Sequence, residues 1–246
     1  MWYWLFKFVL IGPLLHLLGR PRIEGVENIP DDGPVILASN HLAVVDSLYL
    51  ALMVPRRITF LAKSEYFTTP GLKGRFNKFF YSAAGQVPID RSGGEAAQAA
   101  MRTAVRVLER RKVMGLYPEG TRSPDGRLYK GKTGIARIAL ESGVPVIPVA
   151  MIGTNVMNPI GSKSYRPTRI ALRVGEPLDF SRYEGLGGSR FIERAVTDEI
   201  MYSLMNLSGQ EYVDIYAASV KDGTAATVGG KDAAMDAARI PDTEAG

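Results

Sequence analysis

Two histidines occur in the whole chain, and one of them, His41, directly follows an apolar run in the stretch Ser39-Asn40-His41-Leu42-Ala43-Val44-Val45-Asp46-Ser47. A histidine just past a buried strand sits where α/β proteins put ligands, outside the carboxyl end of the sheet. If a helix begins near Val44, Asp46 falls in its first turn and its carboxylate reaches back to the imidazole. A carboxylate so placed fixes the ring tautomer and leaves the other ring nitrogen as an acceptor. It also stabilises the imidazolium formed when the ring takes a proton from a hydroxyl. The spacing equally fits a half-buried imidazole beside an Asp at a helix N-terminus, because one His-x4-Asp match is a weak signal.

Two further loops bring cations. Tyr117-Pro118-Glu119-Gly120-Thr121-Arg122-Ser123 follows a second apolar run and combines a glycine, a hydroxyl and an arginine, a set suited to holding phosphate by bidentate and backbone contacts. Residues 87–94, "VPIDRSGG", place Arg91 just ahead of a helix that Ser92 and Glu95 would cap, where the N-terminal dipole favours an anion. Either arginine alone fits a surface ion pair. A base and two cationic loops together point to a base that works on the hydroxyl of a phosphorylated substrate.

The absence of cysteine excludes thiolate nucleophiles, disulfides and cysteine metal sites, and two histidines are too few for most zinc enzymes, so no metal site is expected. There is no Gly-x-Ser-x-Gly elbow to carry a covalent route. Residues 126–133, "GRLYKGKT", match the P-loop pattern of nucleotide hydrolases letter for letter. That motif should emerge straight from a buried strand, yet the polar residues 119–125 intervene, and Leu128 and Tyr129 are bulky where backbone must wrap phosphate. Lys130 and Lys132 are read instead as a solvated or phosphate-facing loop.

The elements that must position these loops alternate along the chain. Candidate strands are residues 35–38, 58–61, 113–117, 144–149 and 170–174, with helical periodicity over 95–111 and over 133–142, the latter stopping at Gly143. The expected fold is an α/β layered sandwich with a mixed, partly parallel sheet flanked by helices, from residue 21 to 216. Residues 1–20 form a separate apolar segment with both tryptophans, too short to span comfortably and kinked at Gly12-Pro13. It is expected to lie in a membrane interface with Lys7 finding water or a headgroup and His16 structural or interfacial. Residues 217–246 are small and polar, as in a flexible tail.

Net charge is +5, but residues 56–137 hold 17 Lys and Arg against 6 Asp and Glu. Such a basic middle calls for an anionic partner: nucleic acid, a phosphorylated small molecule or an acidic membrane surface. Nucleic acid is disfavoured, because the cations are not interleaved with aromatic platforms and no reader motif is present. A non-enzymatic lipid-binding module would explain charge and apolarity but not His41.

The blocks "NHLAVVD", "GQVPIDR", "YPEGTRS" and "VPVIPVA", in that order, resemble the glycerophospholipid acyltransferases, in particular the PlsC-like 1-acyl-sn-glycerol-3-phosphate (lysophosphatidic acid) acyltransferases. The matched region runs over residues 34–150, about half the chain; "FLAKSEYF" between the first two blocks is similar as well, while Val87-Pro88 departs from the family's usual aliphatic-aromatic pair. The resemblance implies that His41 is the base and Asp46 its orienting partner. It implies that Arg91, Glu119, Gly120, Thr121 and Arg122 bind the acceptor's glycerol phosphate, with Lys63 helping and Glu119 holding an arginine or a glycerol hydroxyl. The fourth block makes Val146 and Pro148 acyl-site candidates, although an ordinary core strand explains them as well. The implied reaction is acyl transfer from acyl-CoA or acyl-ACP to lysophosphatidic acid, with no tightly bound cofactor. Glycerol 3-phosphate or another lysophospholipid is the alternative acceptor. The implied partners are the thioester, possible acyl carrier protein and anionic lipid, at the cytoplasmic face of the cell membrane.

Overall fold

The computed structural model describes residues 2–83, 85–89, 96–162 and 164–224. The chain opens with α1 (Trp2–Leu5), a π-helical turn (Phe6–Leu10) and α2 (Gly12–Gly19), followed by β1 (Arg22–Glu24), β2 (Val35–Ser39), α3 (Asp46–Met53) and β3 (Ile58–Lys63). After α4 (Glu65–Thr68) and α5 (Gly71–Ala83) come β4 (Gln86–Ile89), α6 (Ala96–Glu109), β5 (Val113–Leu116), β6 (Leu128–Tyr129) and α7 (Gly134–Ser142). The last part holds β7 (Val146–Ile152), α8 (Thr154–Met157), β8 (Ala171–Val174), α9 (Arg190–Ser208), β9 (Tyr212–Val213) and α10 (Ala217–Lys221).

Seven strands form one sheet in the order β1-β8-β7-β2-β5-β3-β4. Every pairing is parallel except β7 with β8, so β1 and β8 run against the other five. The small β6–β9 pair stands apart from it. A mixed, mostly parallel sheet flanked by helices is therefore what the alternation predicted. All five residues of β2 are buried, as a strand covered on both faces requires. The period of two sends Val35 and Leu37 into one apolar layer with Tyr49 and Leu50 of α3. Ile36 and Ala38 enter the other, with Leu108 of α6, Ile135 of α7 and Ile200 of α9.

The break at Gly12-Pro13 is present: Pro13 occupies the first turn of α2, where a missing N–H costs no hydrogen bond, and the two helical halves bend by 41°. Among the described residues no single helix is long and apolar enough to cross a membrane. One side of this pair is packed, with Tyr3 and Leu15 buried and the Tyr49 hydroxyl donating to the Leu15 carbonyl at 3.0 Å. The other side leaves Trp2, Trp4, Phe8, Leu14 and Leu17 exposed. Lys7 does not reach out to water. It turns inward and donates to the Val54 carbonyl at the end of α3 at 2.6 Å, and burial lowers its pKa to about 8. His16 is exposed, with its Nδ1 on the Gly12 carbonyl at 2.9 Å.

Two boundaries shift. The ordered chain runs past residue 216, since α10 is helical and its Ala217 fully buried, so a tail starting at 217 is too early. The helix expected over 95–111 is seen as α6, whose proposed cap residues Ser92 and Glu95 lie outside the described residues.

Candidate active site

The parallel strands β2, β5, β3 and β4 all end at one edge of the sheet, and the chemistry-bearing loops leave from there. Asn40 fixes the end of β2. Its Oδ1 accepts the Met151 N–H at 2.7 Å, and its Nδ2 donates to the Met151 carbonyl at 3.0 Å and to Gln210 Oε1 at 2.6 Å. The chain then turns, and Asp46 at the start of α3 closes the turn from the other side. Its Oδ2 accepts the N–H groups of Leu42 and Ala43 at 2.7 and 2.8 Å, together with His41 Nδ1–H at 2.8 Å. Asp46 is wholly buried; these donors offset the desolvation of Oδ2, while Oδ1 is buried with no hydrogen-bond partner among the described residues.

An ionised carboxylate only accepts, so the proton of the His41 ring resides on Nδ1 and Nε2 presents a lone pair. The ring lies stacked on Tyr117 at 4.0 Å, and its side chain keeps 19% of its surface exposed. Tyr117 is in turn held by Ser47 through a 2.7 Å hydroxyl contact and lies parallel to Phe60 at 6.0 Å. Phe60 fits only because Gly115 faces it across the β3–β5 register: a Cβ there would come within 2.3 Å of the phenyl ring. The imidazole thus rests on a stack that a glycine admits.

The second loop locks the first. Glu119 Oε1 accepts the backbone N–H of His41 at 3.0 Å, and Oε2 accepts that of Tyr129, also at 3.0 Å. The Ser123 N–H donates to the His41 carbonyl at 2.7 Å, so both backbone groups of His41 are held by this segment. Glu119 is 1% exposed, and burial pushes its pKa to about 8 despite the two N–H bonds that lower it.

Gly120 adopts φ +72°, and a Cβ on it would meet the stem of Lys132 at 3.1 Å, so the turn needs glycine for both reasons. Lys221 of α10 donates to Thr121 Oγ1 at 2.8 Å; burial and the Arg122 charge both lower its pKa. Arg122, Lys132 and Lys221 therefore surround residues 120–121, and none of the three meets a carboxylate in an ion pair among the described residues. The arrangement offers a general base beside a turn flanked by cations. Among the described residues no group of three or more His, Asp and Glu side chains converges to hold a metal ion.

Residues 20–152 match the model of the protein family described as Acyltransferase, a span that contains His41, Asp46 and residues 119–122. The chain belongs to this family. It is 33% identical over 177 residues to a 1-acyl-sn-glycerol-3-phosphate acyltransferase of Limnanthes alba, covering 71% of this chain and 60% of that one. The Bacillus subtilis protein of the same name is 28% identical over 167 residues, 67% of this chain and 77% of that protein. The solved structure of the 1-acyl-sn-glycerophosphate (LPA) acyltransferase PlsC from Thermotoga maritima is similar with a TM-score of 0.60 at 28% identity, over 79% of this chain and 75% of that one. The chain spans about 60% of the length of the two Limnanthes relatives.

Within this member of the Acyltransferase family the expected site residues separate into groups. His41, Asp46, Gly120, Thr121 and Arg122 come together at the sheet edge. Lys63 ends β3 at the same edge, in register with Ile89 at the end of β4, while Arg91 lies outside the described residues. Glu119 is buried, and its two oxygens accept the backbone N–H groups of His41 and Tyr129 rather than an arginine or a hydroxyl. Val146 and Pro148 are both buried in β7. They pair with Ile36 and Ala38, five and three residues upstream of His41, which is about 16 and 10 Å away at ~3.3 Å per residue.

The P-loop match is a coincidence of letters. Its Leu128 and Tyr129 form β6 and are fully buried, and Lys130 pairs with Asp214 at 2.9 Å. Asn40, Tyr117 and Lys221 were not singled out from sequence. Tyr117 and Asn40 stood in the quoted segments, but Lys221 offered no signal, since nothing local relates it to Thr121, 100 residues earlier.

Proposed function

We propose that this protein transfers a fatty acyl group from a thioester to the free hydroxyl of 1-acylglycerol 3-phosphate, forming phosphatidic acid. The observation that carries the reading is the His41–Asp46 pair, with Nδ1 bonded to a buried carboxylate and the His41 side chain 19% exposed. Its position within a matched acyltransferase family region, and the names of the relatives, support the substrate class.

In this mechanism His41 Nε2 takes the proton of the acceptor hydroxyl as that oxygen bonds to the thioester carbonyl carbon. The buried charge of Asp46 stabilises the imidazolium. The C–S bond then breaks, and the thiolate leaves and takes the proton from Nε2 to become the thiol, which returns the imidazole to its starting form. No acyl-enzyme is formed and no resident cofactor is required. Arg122, Lys132 and Lys221 hold the acceptor's phosphate, and the family resemblance adds Arg91 and Lys63 to that role. The acyl donor is acyl-CoA or acyl-ACP. The exposed apolar side of α1 and α2 sits in the lipid interface, with the protein on the cytoplasmic face of the membrane.

The test is release of coenzyme A from an acyl donor with lysophosphatidic acid, run beside glycerol 3-phosphate and other lysophospholipids as acceptors. His41→Ala, shown folded by circular dichroism, abolishes turnover; a folded variant with full turnover removes the proposed base.

A further inference from the structure

A second basic site lies away from the catalytic edge. A cavity of about 490 Å³ opens between the C-terminal half of α6 and the starts of β3 and β4, lined by Arg57, Arg106, Arg110 and Lys112 with hydroxyls of Thr59 and Ser82. Thr59 is four residues before Lys63 on β3, which puts the cavity about 13 Å from the catalytic edge at ~3.3 Å per residue. No carboxylate lines the cavity among the described residues, and none of the four cations makes an ion pair with one there. The negative end of α6 accounts for arginines in its last turns. It does not account for Arg57 and Lys112, which enter from the starts of β3 and β5 to meet them.

The neighbours of the cavity say what kind of anion fits. The Arg57 guanidinium lies 5.3 Å over the ring of Tyr3 in α1. Ser82 belongs to α5, whose Phe79 meets Trp2 edge to face at 5.3 Å. Trp2, Phe79, Phe76 and Leu72 are all exposed, so an apolar surface runs up to the rim of the basic cavity. A concave cluster of unpaired cations bordered by exposed aromatics matches a molecule with a phosphate head and apolar tails.

We infer that this cavity binds the phosphate of an acidic membrane phospholipid, whose tails lie against the exposed faces of α1 and α5. The site is separate from the reacting centre, and it rests on the reading of α1 and α2 as membrane-facing only for the source of its ligand. The phosphates of coenzyme A share the recognition chemistry, and the test separates the two.

The probe is dihexanoylphosphatidylglycerol, a soluble anionic lipid that the reaction neither uses nor makes, titrated by calorimetry against the zwitterionic dihexanoylphosphatidylcholine. The wild type binds the anionic probe saturably and the zwitterionic one no better than background. Arg106→Gln/Arg110→Gln, both exposed and outside the catalytic loops, weakens the anionic probe by roughly tenfold or more. Arg166→Gln/Arg190→Gln, with the same change in net charge, leaves it unchanged. Equal loss in both double variants means diffuse charge attraction and overturns the site. So does coenzyme A that competes with the probe and loses its own affinity in Arg106→Gln/Arg110→Gln, which assigns the cavity to the acyl donor. Sedimentation with phosphatidylcholine vesicles reads the apolar N-terminal face by itself. A wild type that ignores vesicles yet binds the soluble probe sinks the membrane reading and upholds the cavity.

Discussion

The Glu119 carboxylate accepts the backbone N–H of His41 at 3.0 Å, from a loop 78 residues further along the chain. The other oxygen holds Tyr129, so one buried side chain ties the segment after β2 to the end of β6. His41 is therefore held twice, its ring by Asp46 and its backbone N–H by Glu119.

Glu119 gives stability a distinct pH dependence. Its folded pKa is raised to about 8, chiefly by burial, so the folded state holds the proton more tightly than the unfolded chain. The contribution is fully present below the unfolded carboxyl value and is lost as pH rises through about 8. Glu119→Gln removes this titration. The melting temperature of the wild type relative to Glu119→Gln is expected to fall between about pH 5 and about pH 9; a constant difference would mean that the carboxyl does not titrate there. Glu119→Ala leaves two buried N–H groups without partners and destabilises by roughly 1–3 kcal/mol for each.

Asp46→Asn separates charge from geometry. The amide oxygen can keep all three bonds that Oδ2 now accepts, so the turn and the tautomer persist while the negative charge is gone. We expect kcat to fall roughly 10²- to 10⁴-fold with KM for the acceptor little changed. A variant that retains wild-type kcat would show that the carboxylate's charge plays no part in stabilising the imidazolium.

The pair at His41 was legible because it is local: two residues five apart, at a strand end and a helix start. The sandwich was legible for a similar reason, since β2, β3, β5 and β7 are buried runs whose hydrophobicity shows without context. β4 was hidden by Pro88, which a sheet tolerates there because β4 is the edge strand. α9 carried Val196, Ile200 and Leu204 at helical spacing, but buried Glu193 and Thr197 interrupt the apolar signal. The backbone partners of Glu119 were hidden because N–H groups have no letter of their own. The burial of Val146 and Pro148 on β7 does not separate a core strand from one that reaches the site, since the two have the same composition.

Gly115→Ala tests the aromatic support. The added methyl would approach the Phe60 ring to 2.3 Å, and the ring must move, carrying the Tyr117 stack on which His41 lies. Overpacking of this kind destabilises by about 1–3 kcal/mol. We expect a lower melting temperature together with reduced kcat, and Phe60→Leu in the same chain, which frees space at the methyl, should recover part of the stability. No recovery would place the strain elsewhere.

Lys221 extends the cation cluster from a helix that lies beyond the matched family region. Charge-assisted hydrogen bonds contribute about 1.5–3 kcal/mol, so Lys221→Ala is expected to raise KM for lysophosphatidic acid roughly tenfold or more while kcat changes little. Truncation after residue 216, which removes the same ammonium, should do at least as much. A change in kcat alone would mean that Lys221 orders the loop of Thr121 without meeting the phosphate.

The N-terminal helices have two faces, and only one is packed. Deleting residues 1–18 is expected to release the protein from liposomes, but it also strips the cover from Tyr49 and the core beside it. Replacing Phe8, Leu14 and Leu17 with Ser is the cleaner change, because their side chains are 62%, 55% and 72% exposed and the buried Tyr3 and Leu15 stay in place. Burying a large apolar side chain is worth about 1.5–3 kcal/mol, so three together should weaken vesicle binding by several orders of magnitude. The melting temperature in solution should stay near that of the wild type. Sedimentation with vesicles that is unchanged in the triple variant would show that this face does not meet lipid.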